Sequence, residues 1–118
     1  MVVNVEEQLS LFSEFWSPRI IGEMNNMYVK AAKLKGEFIW HAHDDEDEMF
    51  YVVKGRLVIR YRDMDNILGP GEFLIIPRGV EHLPVAEEEV HVLLIEPKAT
   101  VNTGGVVSAR TIEALERI

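Results

Sequence analysis

The sequence contains no cysteine, no excess of basic residues and no long apolar run. Without thiols the chain cannot form disulfides, thiolate zinc sites, iron–sulfur clusters or a cysteine nucleophile. The net charge of −8 and the pI near 4.9 repel phosphate backbones and anionic lipid, so we expect neither nucleic-acid nor membrane binding. The N-terminus lacks the pattern of a secretory signal, and no run approaches the roughly 20 apolar residues of a membrane helix. We therefore expect a cytoplasmic protein.

The composition is that of an ordinary folded domain. Of the 118 residues, 47% are apolar and 27% are charged, and a chain of this size can bury a core without disulfides. We expect one domain over residues 1–118, with an N-terminal arm at 1–18, a barrel at about 19–97 and a tail at 98–118. The arm contains a possible short helix with Leu9, Phe12 and Trp16 on one face. In the tail, Ile112 and Leu115 at helical spacing predict a second short helix.

Short runs rich in β-branched and aromatic residues alternate with Gly, Pro, Asp and Asn over the central part of the chain, as is typical of strands. The predicted strands are residues 19–24, 28–35, 38–43, 48–53, 56–61, 65–68, 73–76, 82–86 and 90–95. We expect Lys54-Gly55 to be a tight two-residue link, and Pro84 to mark an edge strand or an interrupted one. The fold class is therefore predicted as all-β, an antiparallel sandwich or barrel.

Three histidines and one glutamate are spaced so that they can meet inside such a barrel. In His41-Ala42-His43 the two imidazoles share one face of a strand, because residues i and i+2 point the same way. The acidic stretch 44–47 can turn the chain so that Glu48 faces the same interior. His82 follows another turn, Pro77-Arg78-Gly79. Side chains from three strands converge only if the sheet curls into a barrel.

The chemistry of this set is that of a metal site with nitrogen and oxygen ligands. Manganese, iron, nickel, cobalt, copper(II) and zinc all remain open as the one divalent metal. Four protein ligands on a six-coordinate ion leave two positions for water or substrate. A single His-x-His pair is usually an ordinary surface or core feature, and an acidic run is usually a solvated turn. The combination of these features at this spacing favours the metal site.

These motifs resemble the two signatures of the cupin superfamily over about residues 19–97. The matching positions are Gly36-x4-His41-x-His43-x4-Glu48-x6-Gly55 and Gly71-x5-Pro77-x-Gly79-x2-His82. The resemblance implies an RmlC-like, antiparallel double-stranded β-helix or jelly-roll barrel, here with short terminal helical segments, and a homodimer. It also implies that His41, His43, Glu48 and His82 are the metal ligands. The sequence departs from the pattern at Ala86, where the family often has Asn, and by one residue between Gly36 and His41.

Further residues are predicted from strand alternation. Alternation from Glu48 places Phe50 and Val52 inward, and Leu57, Ile59 and Tyr61 follow on the next strand. Phe50 and Tyr61 are candidate substrate-pocket residues, although core filling explains them as well. Phe38 and Trp40 alternate with His41, so they are expected to point away from the site, toward a second sheet or a dimer contact. His91 is expected to lie outside the site.

Three functional hypotheses follow. By the resemblance, the chain is a metal-dependent isomerase, lyase or dioxygenase acting on a small polar molecule, of the kind often compared with mannose-6-phosphate isomerase. A phosphate-bearing substrate requires nearby cations, for which Lys30, Lys33 and Lys35 are the candidates. Alternatively, the barrel binds a metal and a small ligand without catalysis, or its metal only holds the strands together. No catalytic residue is predicted beyond the metal ligands.

Overall fold

The computed structural model describes residues 1–106, 108, 111–112 and 115–118. These residues form one short helix and eight β-strands. The helix is α1 (Val5–Leu9), and the strands are β1 (Arg19–Met24), β2 (Met27–Glu37), β3 (Glu48–Lys54), β4 (Leu57–Arg60), β5 (Asp65–Leu68), β6 (Phe73–Ile76), β7 (Leu83–Pro97) and β8 (Glu116–Arg117). No helix in this part of the chain is long and apolar enough to cross a membrane.

The 15-residue strand β7 holds the sheet together. It pairs antiparallel with β2 along most of its length. It also pairs antiparallel with β4 near its start and with β3 near its end. The sheet order is β5-β4-β7-β2-β1-β8, and β3 connects β7 to β6. Because different neighbours meet successive parts of one strand, the sheet folds over itself into the predicted jelly-roll barrel.

Two strand predictions are wrong. Residues 82–86 and 90–95 are parts of one strand, which Pro84 does not interrupt. The carbonyl of Pro84 accepts a hydrogen bond from the Phe38 N–H at 3.0 Å, so the nitrogen of Pro84 also faces the β2 side. The pairing of β2 with β7 has already ended there, at Glu37 and Val85. The missing N–H therefore breaks no rung of the sheet. Residues 38–43 form no regular strand, and only His41 makes an isolated bridge.

Strands β3 and β4 are joined by a short two-residue link, Gly55-Arg56, one residue later than the predicted Lys54-Gly55, and this link is not a hairpin turn. Strands β3 and β4 pair with different parts of β7 and not with each other. Gly55 has a φ of +92°, and a Cβ placed on it would lie 2.8 Å from the carbonyl oxygen of Glu89. Glycine is needed here because the backbone has a positive φ and passes close to Glu89, which lies within β7.

The core lies between the inner faces of the curled sheet. Alternation along β3 buries Glu48, Phe50 and Val52, as predicted. Leu57 and Ile59 on β4 are fully buried in the same cluster. Each fully buried side chain of this size contributes roughly 1.5–3 kcal/mol to the free energy of folding. The cluster that these residues join is apolar, whereas Glu48, Lys30 and Glu96 are buried charged side chains.

The N-terminal arm covers one side of the barrel. Asn4 caps α1, and its Oδ1 accepts a hydrogen bond from the N–H of Glu7 at 3.0 Å. Leu9, Phe12 and Trp16 are all buried, but the prediction that they share one helical face is wrong: the helix ends at Leu9, and Trp16 packs in the barrel core, apart from Leu9 and Phe12. The short helix is therefore stabilised by packing against the sheet, since five residues are too few to be stable alone.

The tail differs from its prediction. Thr111 and Ile112 are irregular, and Glu116–Arg117 form β8, which pairs in parallel with β1. The predicted C-terminal helix is thus not seen in the described tail, and its residues 109–110 and 113–114 lie outside the described part of the chain. The N–H of Ile118 donates to the carbonyl of Ile20 at 3.1 Å, so the end of the tail packs on the barrel.

Candidate metal centre

Backbone pairing places His41 beside His82. The N–H of His41 donates to the carbonyl of His82 at 3.1 Å, and the N–H of His82 donates back at 2.9 Å. This isolated antiparallel bridge brings the two ring centroids to 4.2 Å. The two sequence motifs, about 40 residues apart in the chain, are therefore joined at their histidines by main-chain hydrogen bonds.

The acidic turn returns the chain to the interior, as predicted, so that Glu48 begins β3 facing inward. The turn is tied to the loop that precedes the last histidine. Asp47 Oδ1 accepts from the backbone N–H of Arg78 at 2.9 Å, and the carbonyl of His43 accepts from the N–H of Gly79 at 2.8 Å. These bonds fix both ends of the acidic turn that precedes Glu48 relative to the second motif.

The four predicted ligands converge. One ligand atom from each of His41, His43, Glu48 and His82 lies within 4.8 Å of the others, and all four side chains are buried. Oε1 of Glu48 is 3.4 Å from Nε2 of His43 and 3.3 Å from Nε2 of His82, longer than ordinary hydrogen bonds. None of these three atoms has a hydrogen-bond partner among the described residues.

The orphaned atoms fit a bound cation. A buried polar atom without a partner is destabilising by about 1–3 kcal/mol. Three such atoms facing one small space are satisfied together by a single divalent ion with nitrogen and oxygen ligands. These residues could therefore hold a metal, and the donor set suits a first-row transition ion.

Backbone carbonyls orient two of the imidazoles. Nδ1 of His41 lies 2.9 Å from the carbonyl oxygen of Ile39, and Nδ1 of His82 lies 2.9 Å from that of Val80. A carbonyl oxygen only accepts, so in neutral imidazole Nδ1 carries the hydrogen. Nε2 is then the bare nitrogen, which is the form a metal ligand needs.

The electrostatics favour the metal-binding protonation states. Burial and then the charge of His82 lower the pKa of His41 from 6.5 to about 4, so His41 is neutral at pH 7. Burial alone would raise the pKa of Glu48. Interactions with the neighbouring Glu96 carboxyl group and with the imidazoles of His43 and His82 outweigh burial and lower the pKa of Glu48 well below 4.5. Neutral imidazole and ionised carboxylate are the forms that bind a divalent ion.

A second buried carboxyl group lies beside Glu48. Glu96 on β7 is 1% exposed, and its Oε1 accepts from Nζ of Lys30 at 2.7 Å. Burial and then the charge of Glu48 raise the pKa of Glu96 well above 4.5. The other oxygen of Glu96, Oε2, has no hydrogen-bond partner among the described residues.

Glu96 was missed from the sequence because the predicted strand ended at residue 95, so the expected inner face was almost entirely apolar. In the structure β7 continues to Pro97, and its buried positions alternate through Val90, Val92, Leu94 and Glu96. Carrying that period-two pattern one step further would have placed Glu96 inside.

A small cavity of about 30 Å³ lies against the site. Its lining has a polar part, which consists of His41, Glu48, Glu96 and Asn102. Its apolar part consists of Trp16, Pro18, Leu34, Phe38, Phe50, Pro84 and Leu94. The candidate ligands therefore meet a mostly apolar space in which few groups can bind a polar molecule.

Strand alternation placed the aromatic residues with mixed success. Phe50 lines the cavity, whereas the half-buried Tyr61 packs against the core and is not part of the lining. The expectation that Phe38 points away is wrong. Phe38 lines the cavity, with its ring centroid 5.3 Å from that of His41, because residues 38–40 do not alternate as a strand would. The guanidinium carbon of Arg62 lies over the ring of Trp40, 3.8 Å from the ring centroid.

The other candidate residues lie apart from the cavity. Nε2 of His91 is 2.6 Å from a carboxylate oxygen of Glu89, so His91 is outside the site, as expected. Lys33 donates to the carbonyl of Phe12, and Lys35 is exposed. Of the three lysines proposed for a phosphate, only Lys30 lies near the cavity, and its charge is paired with Glu96.

The fold and the four converging ligands define a small β-barrel with a potential metal centre. A family model described as a cupin domain matches residues 29–96, which include all four ligands. The chain belongs to the cupin family.

Similar proteins are found in several bacteria. A cupin-2 domain containing protein of known structure from Shewanella frigidimarina is 48% identical, with 82% of this chain and 95% of that chain covered and a TM-score of 0.82. The Neisseria meningitidis protein NMB1881 is 27% identical, with 83% and 100% covered and a TM-score of 0.76. The uncharacterized protein YdbB of Bacillus subtilis is 40% identical over 63 residues, which are 52% of this chain and 56% of that protein. The match thus spans only about half of that relative.

Proposed function

We propose that this cupin binds one divalent transition metal through His41, His43, Glu48 and His82. The carrying observation is the convergence of four buried ligand atoms within 4.8 Å, three of them without partners among the described residues. A buried arrangement of this kind is destabilising unless a cation completes it. The identity of the metal is left open among manganese, iron, nickel, cobalt, copper and zinc.

We further propose that the metal centre acts on a small polar molecule as an isomerase, lyase or dioxygenase. A bound metal of this class supplies Lewis-acid polarisation of an oxygen atom or activation of water or dioxygen. The chain itself contributes the apolar walls around Phe38 and Phe50, which exclude water, and the Glu96 carboxyl group beside the ligands. The homodimer and the cytoplasmic location stay predictions.

A non-catalytic binding role is the second candidate. The cavity of about 30 Å³ and its mainly apolar lining favour it, because few polar groups are available to move protons on a substrate. Metal-loaded protein that binds a small polar molecule and releases it unchanged would support this role over catalysis.

The test of the metal site is the metal content of untagged protein purified without chelator. We expect about one metal per wild-type chain and loss of that metal in His82→Ala. His91→Ala is the matched control, because His91 lies outside the site and pairs with Glu89. A wild-type protein that holds no metal after reconstitution with each candidate ion would contradict the proposal.

A further inference from the structure

A second and larger cavity is lined by both the barrel and the C-terminal tail. Its volume is about 410 Å³, which lies within the range of roughly 300–1,000 Å³ that is usual for small-molecule pockets. Strand β2 contributes Tyr28 and Lys30 to its wall, and the tail contributes residues 98–102. Pro18 and Asn102 also line the smaller cavity beside the candidate metal centre, so the two cavities are neighbours.

Positively charged side chains lie close together beside this cavity, although the chain has a net charge of −8. Nζ of Lys30 lies 5.9 Å and Nζ of Lys98 lies 5.3 Å from the centroid of the Tyr28 ring. The guanidinium carbon of Arg117 lies 5.6 Å from the same centroid. Lys98 and Arg117 share one carboxylate, that of Glu23. These two cations and one carboxylate leave one positive charge in excess, which favours an anion nearby.

The polar part of the cavity wall consists of donors without enough acceptors. Among the described residues the lining includes two lysines and no carboxyl group. The ammonium group of Lys30 has three N–H donors, and its one hydrogen bond to a described residue goes to Oε1 of Glu96, at 2.7 Å. The hydroxyl group of Thr100, a residue that is 7% exposed, has no partner among the described residues. Buried polar groups are nearly always hydrogen-bonded, so this wall lacks acceptors.

The remaining wall restricts the kind of acceptor. Ile20, Val101, Ile112 and Leu115 line the cavity together with Tyr28. These apolar side chains suit a hydrocarbon body, whereas the ammonium groups suit an anionic oxygen, to which hydrogen bonds are about twice as strong as to a neutral one. One excess positive charge matches the single charge of a carboxylate better than the nearly double charge of a phosphate ester.

We propose that this cavity binds a small molecule that carries one carboxylate group on an apolar body. The carboxylate accepts hydrogen bonds from Lys30 and Lys98 and from the hydroxyl group of Thr100. The apolar body lies against Ile20 and Leu115. No metal takes part in this site, so a failure of the inference leaves the proposed metal centre unaffected.

The test is a binding titration of the full-length protein, followed by NMR of its backbone amides at low ionic strength. The protein is treated with a chelator, so that a carboxylate cannot bind a metal ion instead. The probes are benzoate, its uncharged counterpart benzamide, and phenyl phosphate. The variant Lys98→Met removes one cation from the wall and leaves Glu23 paired with Arg117. Lys35→Met is the matched control, because Lys35 is an exposed lysine of β2 outside the cavity wall.

We expect benzoate to bind wild type with a Kd on the order of 0.1 mM and to shift the amide signals of the cavity wall. Lys98→Met should weaken benzoate binding by at least about 10-fold, because a hydrogen bond to a charged group is lost. Benzamide should bind wild type more weakly than benzoate by a similar factor, and Lys35→Met should match wild type. Glu23→Gln should bind benzoate more tightly, because Lys98 then has no competing carboxylate.

Four results would overturn the proposal. The first is the absence of benzoate-induced shifts in the cavity wall, and the second is benzamide binding as tight as that of benzoate. The third is equal benzoate affinity of folded Lys98→Met and Lys35→Met. The fourth is phenyl phosphate binding tighter than that of benzoate with the same dependence on Lys98, which would assign the site to phosphate esters. If Lys98→Met does not fold, the comparison of the three probes on wild type decides by itself.

Discussion

The low pKa of His41 predicts acid-sensitive stability in the metal-free protein. The unfolded chain has a histidine pKa near 6.5, whereas burial and the charge of His82 lower the native value to about 4. Between these values the unfolded chain binds a proton that the native protein does not, so stability is lost as pH falls. The full loss is about 3 kcal/mol at 1.36 kcal/mol per pH unit, of which about 2 kcal/mol falls between pH 7 and pH 5.

The assay is urea unfolding of chelator-treated wild type and His41→Gln at several pH values between 7 and 5. Glu96 acts in the opposite sense to His41, since its raised pKa makes stability fall as pH rises above 4.5. Glu48 contributes stability that is present above 4.5 and is lost below that value, because its pKa is lowered. Both glutamates are present in both proteins, so most of their own contribution cancels in the difference between the two titrations.

The expected outcome is that wild type loses about 2 kcal/mol more than His41→Gln between pH 7 and pH 5. Parallel stability curves for the two proteins would refute the reasoning, because they would show that the native state binds a proton at His41 as readily as the unfolded chain. A steeper slope in the variant would refute it as well.

Two further substitutions test the fold by equilibrium unfolding. Gly55→Ala should destabilise the protein by about 2–4 kcal/mol, since it adds a clash with the Glu89 carbonyl to the strain of a positive φ. The control Gly36→Ala, at φ +86° with open space around it, should destabilise the protein by only about 1–2 kcal/mol. Equal effects of the two substitutions would contradict the close approach of Gly55 to β7. Ile59→Ala should lose about 2–5 kcal/mol because the side chain is fully buried, while the control Ile67→Ala, 57% exposed, should change stability by less than about 1 kcal/mol. Comparable losses at both positions would contradict the assigned inner face of β4.

The sequence predicted the four candidate ligands from their spacing, with the acidic turn before Glu48 as the local signal for its position. The convergence of His41 and His43 was predicted from a strand period, although residues 38–43 form no regular strand and only His41 makes an isolated bridge. The turn chemistry before His82 is equally local. These local rules also predicted α1, β5 and β6 and the buried positions of β3.

Non-local pairing decided what the sequence reading missed. The continuity of β7 through Pro84 depends on where β2 stops pairing with it. The need for glycine at position 55 depends on how closely β7 approaches the backbone there. Phe38 faces inward because its segment does not alternate as a strand would. The position of that segment is set by the bridge between His41 and His82.

The chain by itself predicted the four candidate ligands and the barrel class, because both predictions follow from residue type and short-range spacing. Only the tertiary structure brought Lys30 and Glu96, which are 66 positions apart in the chain, into contact with each other beside Glu48. The physical reason is that a side chain's neighbours across a sheet are set by strand register, and register depends on the whole pattern of buried faces.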